Sequence, residues 1–518
     1  MQKSTRISWM MIGVLMSIAT TAQAKPLGLF ADHADVGAPA IAGNATYNAA
    51  SQEYILNASG NNIWGKSDQY HFAWRKMQGD FILQARIEFV GTGEAHRKAG
   101  WTVRKSLDAD SPHIDTTIHG DALIHGDGGV RMQYRRSAGA ITEQSDNISD
   151  GADVIQLERR GKLYIISTAK YGEPYSQKQI DTIDLGDDVY VGLFLCAHNG
   201  QTMTQAVFRD VRITRTAKPD FVPYHDYIGS QLELLDVATG HRQIIYGSAD
   251  PFEAPNWTAD GQALQFNSSG ADPAKRGRLY RFDLATRQPG LIDTGFAHRL
   301  NNDHVLSFDG SMVGISDQTT DKNESTIFTL PSIGGIPKRI TPLTPSYLHS
   351  WSPDGKYLLY TGGRKGEGDI QWDIYRTPSD GSGTEVKLTK SSGLNDGPEY
   401  SRDGKYIYFN STRSGKMQIY RMKADGSEQT QLTNDEYNNW FPHVSPDGKW
   451  LCIISYVDEI KATDHPYYKH IYLRLMPIEG GTPKVIAYVY GGQGTINVPS
   501  WSPDGKMIAF VSNNDMNW

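Results

Sequence analysis

Six short segments in the C-terminal part of the chain share one pattern, and that pattern constrains the fold more than any other feature of the sequence. They read Trp257-Thr-Ala-Asp-Gly261, Leu306-Ser-Phe-Asp-Gly310, Trp351-Ser-Pro-Asp-Gly355, Tyr400-Ser-Arg-Asp-Gly404, Val444-Ser-Pro-Asp-Gly448 and Trp501-Ser-Pro-Asp-Gly505. Successive glycines lie 49, 45, 49, 44 and 57 residues apart, the repeat length of a four-stranded propeller blade. An Asp-Gly pair between alternating apolar runs predicts a tight hairpin, because Gly accepts the positive φ such turns require. Most units add a second hairpin signature, such as Asp373-Ile-Tyr-Arg376 before Asp380-Gly381, or Gln418-Ile-Tyr-Arg421 before Asp425-Gly426.

After the last core only one further strand's worth of chain remains. At the other end of the repeat region, Leu232-Glu-Leu-Leu-Asp236 and Arg242-Gln-Ile-Ile-Tyr246 look like an outer hairpin with no core before it. Joining the two makes a composite blade and closes a ring of six, leaving no long open sheet edge. The 57-residue interval is read as an insertion at residues 457–468 rather than a degenerate seventh blade. These motifs resemble the TolB-type, WD-like propeller repeats, with residues 398–433 a close match and the resemblance covering about residues 225–518. The resemblance implies a β-propeller. It implies no single function, since such propellers serve as docking platforms, lyases, peptidase companions and sugar-binding modules.

Residues 25–216 lack the repeat but carry many short alternating runs, among them Phe81-Ile-Leu-Gln-Ala-Arg-Ile-Glu-Phe89, Val130-Arg-Met-Gln-Tyr-Arg135 and Val189-Tyr-Val-Gly-Leu-Phe194. Such runs without a helical stretch predict an antiparallel two-sheet sandwich. The order of Asn62-Ile-Trp-Gly65, Gly79-Asp-Phe81 and Ala99-Gly-Trp101 with Arg104 resembles the concanavalin A-like, laminin-G-type jelly rolls appended to bacterial carbohydrate-active proteins. The expected fold class is therefore all-β: a jelly-roll sandwich over 25–216, a linker over 217–228 with Pro219 and Pro223, and a six-bladed TolB-like β-propeller over 229–518. Residues 1–24 combine Lys3 and Arg6 with an apolar run from Trp9 and the small-x-small site Ala22-Gln-Ala24. They predict a signal peptide cleaved near Ala24, hence a periplasmic or secreted protein, with no membrane span in the mature chain. A net charge of −7 with both signs interspersed argues against a nucleic-acid partner. Cys196 and Cys452 lack the neighbours of a nucleophile or zinc site and are read as buried thiols.

In a propeller the residues opening each innermost strand ring the central funnel. Eight positions before the six glycines stand Glu253, Asn302, Tyr347, Asp396, Trp440 and Asn497; six before them stand Pro255, His304, His349, Pro398, Pro442 and Pro499. The first set is wholly polar or aromatic, which suits sugar hydroxyls and ring C–H faces. The expectation is a ligand-binding funnel with His304, His349, Glu253 and Asp396 as candidate catalytic groups. Asn302, Tyr347, Trp440 and Asn497 are candidate substrate contacts. Two imidazoles and a carboxylate could hold a divalent metal, calcium or a transition metal, or one histidine could act as general base. Oligogalacturonate lyases use a TolB-like propeller with a metal and histidines, but they have seven blades and their ligand motif is not matched residue by residue. A hydrolase needs paired carboxylates, and Glu253 and Asp396 stand three blades apart. The sandwich has its own cluster of His113, Asp115, His119, Asp121, His125 and Asp127, followed by Arg131 and Arg135. It is read either as a ligand rim, with His119 and His125 as contacts, or a calcium-type site, or as two polar hairpin tips. The functional expectation is an exported glycan-binding or glycan-processing protein with an oligo- or polysaccharide partner and, if an enzyme, a polysaccharide lyase or glycoside hydrolase. The alternative is a non-enzymatic periplasmic interaction platform of Tol or envelope type, with an envelope protein as partner.

Overall fold

The structure, a computed structural model, describes residues 27–120, 129–222, 225–270, 272, 274–320, 323–366 and 368–516. The expected signal peptide, and Asp121, His125 and Asp127 of the sandwich cluster, lie outside the described residues.

The N-terminal part is a sandwich of two seven-stranded sheets whose paired strands all run antiparallel. One sheet is built around Tyr70–Met77, Val189–Cys196, Lys98–Arg104, His113–His119 and Val130–Arg135. The other is built around Leu163–Ala169, Val154–Arg160, Phe81–Val90, Thr204–Arg215 and Glu53–Ala58. The period-two alternation of these strands places Ala99, Trp101, Val103 and Ile114 of the first sheet against Leu83, Leu157, Ile166 and Phe208 of the second in one apolar core.

The remainder is a ring of six blades. Five are four-stranded sheets, opening on Phe252–Trp257, Leu300–Leu306, Ser346–Trp351, Asn395–Tyr400 and Asn438–Val444. At the end of each innermost strand the Ser/Thr-x-Asp-Gly turn is self-contained. The hydroxyl of Thr258, Ser307, Ser352, Ser401, Ser445 or Ser502 donates to the Asp two residues on at 2.6–2.7 Å. The Gly N–H closes the turn on the Ser/Thr carbonyl at 2.9 Å, with the six glycines at φ of +68° to +72°. Side chains three places after the funnel ring then staple blade to blade. Asn256 accepts from Leu306 N (2.8 Å), Ser350 from Tyr400 N (3.3 Å) and Glu399 from Val444 N (2.8 Å).

The sixth blade is the composite one. Gly229–Asp236 pairs with Met507–Asn514 on one side and Arg242–Ser248 on the other. Its innermost strand is less regular than the sequence leads one to expect, contributing a single bridge, Trp501 to Ile508. The Pro499 carbonyl is taken by Asn256 of the first blade at 2.8 Å. The long fifth interval holds no extra blade among the described residues. It is a loop between Trp450–Tyr456 and Lys469–Pro477, with those strands and Lys484–Gly491 forming the rest of the fifth blade. Both cysteines are free and buried.

The sandwich rests on the closing seam of the ring. Arg212 from its last strand joins Arg242 on Glu233, at 2.7 and 2.9 Å, all three side chains buried. Burial works against the Glu233 charge, but the two guanidiniums outweigh it and hold the carboxyl at about 2. Nearby, Asn514 accepts from Arg215 N at 2.8 Å and donates to the Ile213 carbonyl at 3.2 Å.

Candidate functional site

Each complete blade carries a register shift in its innermost strand at the same place, between Glu253 and Asn256, Leu300 and His304, Leu348 and Ser350, Asp396 and Glu399, and Trp440 and His443. A β-bulge re-aims side chains locally, and here it separates the residues facing the funnel from those lower in the channel. Ala254, Gly397 and Phe441 sit in the bulges at φ of +60°, +58° and +53°.

The funnel has two lobes of 690 and 720 Å³. Both are lined by Asp303, Tyr347 and Gln493. The first lobe holds Glu253, Asn267, Asn302 and Tyr467, with Arg276, Arg299 and His298 at its rim. Glu253 accepts from Asn302 at 3.2 Å and Asn267 at 3.4 Å. It has no cation at ion-pair distance among the described residues, and burial pushes its carboxyl up to about 7.

The second lobe holds His349, Thr361, Trp372, Asp396, Phe441, His465 and Asn497. Asp396 Oδ1 accepts from Thr361 at 2.6 Å and Gly397 N at 2.8 Å, and lies 3.1 Å from His349 Nε2. Burial opposes the Asp396 charge, but the contacts from His349 and Thr361 outweigh it and hold the carboxyl at about 2. The same pairing overcomes burial at His349 and raises its affinity for a proton. Asp303 accepts from Asn497 at 2.8 Å, and burial pushes it up to about 6. Tyr347 and Trp372 stand with ring centroids 5.9 Å apart.

Five of the six residues expected to ring the funnel, Glu253, Asn302, Tyr347, Asp396 and Asn497, line its lobes, as does His349. Trp440 sits behind the wall, fully buried, with its ring edge-on to His465 at 4.5 Å. His304 lines neither lobe: it is fully buried between the first two blades with Nε2 3.3 Å from the Gln265 carbonyl, and burial lowers it to about 4. The His304, His349 and Glu253 trio considered for a metal is therefore not assembled, and no cluster of three or more His, Cys, Asp or Glu side chains placed to hold a metal occurs among the described residues. Asp303, Thr361, His465, Tyr467 and Gln493 escape the sequence reading. Asp303 had a readable signal: seven places before the glycines the other blades carry Ala254, Leu348, Gly397, Phe441 and Val498. His465 and Tyr467 come from the 457–468 insertion, which stands out in the sequence by its length alone.

In the sandwich, His113, Asp115 and His119 belong to one strand, His113–His119, and are buried. They are not hairpin tips. His113 lies 2.9 Å from Asp115, Arg135 makes a buried two-pronged contact to Asp68 at 2.6 and 2.9 Å, and burial lowers His119 to about 4.

Comparison with known proteins bears on the propeller. Residues 367–515 match the TolB beta propeller domain family. An uncharacterized protein of Agrobacterium fabrum is 44% identical over 283 residues, covering 54% of this chain and 92% of that protein. A solved Agrobacterium tumefaciens structure, described as a TolB candidate, is 43% identical with a TM-score of 0.51 over 55% of this chain and 98% of its own. The Tol-Pal system protein TolB of Francisella tularensis is 26% identical over 54% of this chain, which spans 61% of the TolB length. With six blades, a TolB-type match over the last of them and close identity across almost the whole Agrobacterium protein, the chain belongs to the family of TolB-like β-propeller proteins.

Proposed function

We propose that this protein is a non-enzymatic interaction platform of the bacterial envelope, of Tol type, whose two-lobed funnel receives a segment of a partner protein in the periplasm. The likeness to TolB propellers supports the setting. The observation that carries the reading is the clamp on Asp396: held by His349, Thr361 and the Gly397 amide, this carboxylate is a pre-set acceptor for a donor group of a docked segment. The funnel lining, polar with an aromatic wall in its second lobe, suits recognition. The sandwich, read as a concanavalin A-like jelly roll, braces the ring where its ends meet.

A second reading, an accessory or processing role on glycans, is favoured by one observation, the aromatic pair Tyr347 and Trp372 beside Asp303 and Asp396. A photo-crosslinking residue at Gln371, exposed on the lobe wall, separates the two. In envelope extract the platform reading expects one discrete protein adduct and no response in a glycan screen. Binding or release of an oligosaccharide without a protein adduct would replace it with the glycan reading.

A further inference from the structure

We propose that the lobe bounded by Asp303, Asp396 and Trp372 is a receptor for a single organic cation, an ammonium group carried on an alkyl stem. This rests on reading the funnel as a recognition site, but not on the partner being a protein.

The first ground is charge. Two carboxylates, Asp303 and Asp396, line this lobe, and no Lys or Arg does. His349 pairs with Asp396 at 3.1 Å, while Asp303 has no cation within ion-pair distance among the described residues and is met by the Asn497 amide. Burial lowers the proton affinity of His465, the other imidazole of the wall. The Asp303 carboxyl is left without a counter-cation.

The second ground is a surplus of acceptors. Asn497 spends its amide N–H groups on Asp303 Oδ1 (2.8 Å) and the Asn302 carbonyl (3.2 Å). Both are acceptors, which fixes the orientation of the amide and leaves Asn497 Oδ1 buried with no donor. Asp396 Oδ2 lies 4.0 Å from His465 Nε2, beyond hydrogen-bond distance. A buried acceptor without a donor is costly. An ammonium brings three donors, one positive charge and no acceptor, which complements the unpaired Asn497 oxygen and the uncompensated Asp303 charge. A hydroxyl brings a single donor.

The third ground is the wall. Tyr347, Trp372 and Phe441, with Ile370 and Leu394, complete the lobe. Aromatic faces attract a cation through the ring quadrupole, and the apolar side chains can cover an alkyl stem. At 720 Å³ the lobe has room for a lysine side chain of a docking protein or a free amine. Arg276 and Arg299 on the rim of the neighbouring lobe disfavour the cation there.

The test is calorimetric titration of the full chain at pH 7.5 with butylammonium, butanol, Nα-acetyl-lysine methylamide and a peptide with one internal lysine. Butylammonium and the lysine derivatives should bind and butanol should not. Asp303→Asn should weaken butylammonium by about 10-fold or more, the share of a charged hydrogen bond. Trp372→Ala, at the half-buried rim, should weaken it by about 3-fold. Binding should also fade as the pH drops below the Asp303 value of about 6. A lysine peptide binding at least about 10-fold tighter than butylammonium assigns the cation to a protein side chain, and equal affinities assign it to a small amine. Equal binding of butanol, an Asp303→Asn variant with wild-type melting and undiminished affinity, or calcium chloride excluding butylammonium would each overturn the proposal. A protein adduct at Gln371 without ammonium binding sinks only the cation inference. Ammonium binding without an adduct sinks only the protein-docking reading.

Discussion

Three carboxyl groups within one funnel differ in their affinity for a proton, two through burial and one through its neighbours. Asp396 is held at about 2 because His349 and Thr361 outweigh its burial, whereas burial pushes Asp303 up to about 6 and Glu253 up to about 7, the amides and hydroxyls that meet Glu253 offsetting only part of that rise. For Glu253 the sign follows from linkage. Its folded value lies above the unfolded one, so the folded state holds the extra proton and stability falls as pH rises from about 4.5 through 7. Glu253→Gln should remove up to about 3 kcal/mol of that decline, seen as a flatter plot of urea midpoint against pH; an unchanged slope would contradict the assignment. The ring itself could be read from the sequence because the Asp-Gly turn fixes its register. His304 and Trp440 could not be placed, because whether a bulge turns a side chain into the funnel or into the blade is decided by the neighbouring blade.

At the scale of the element, the repeat motif is legible because it is local: hydroxyl, carboxylate and glycine of one turn satisfy each other without help from the rest of the ring. Two glycines separate the cost of conformation from that of contact. Gly355 has φ +71° and open space where a Cβ would go, whereas a Cβ on Gly310 would lie 2.8 Å from the Ala259 methyl. Gly355→Ala should therefore cost about 1–2 kcal/mol, the penalty of left-handed backbone alone, and Gly310→Ala distinctly more, both measured by denaturant unfolding. Equal losses would show that the packing of the first blade yields freely. The sandwich strands were also visible, through their period of two. Less visible was that the second face of the sheet holding His113–His119 buries its polar side chains. Arg135 and Asp68, 67 residues apart, meet only in the folded domain, so the sequence leaves the cluster open between a ligand site and polar turns.

At the scale of the whole molecule, the two domains are joined by buried charge. Glu233→Gln leaves Arg212 and Arg242 facing a neutral amide and should destabilise the protein by about 3–5 kcal/mol, with the sandwich and propeller melting apart in calorimetry rather than together. A second tie is His470 of the fifth blade, which lies 3.1 Å from both Glu158 of the sandwich and Asp458. Burial opposes its charge, but the two carboxylates outweigh it and raise it to about 9. Its contribution is complete below the unfolded value of about 6.5 and is lost as pH rises through 9. Protease cleavage in the 217–228 segment should rise across that interval, and His470→Gln should make it pH-independent.

The hydrogen bonds between Gly229–Asp236 and Met507–Asn514 are the place where the ring is sewn shut, and the last sandwich strand lies across that stitch through Arg212, Ile213 and Arg215. A hoop opens first at its fastening. The sandwich sits on that fastening like a clasp, so that alkali or a point change at Glu233, by loosening it, should expose the seam.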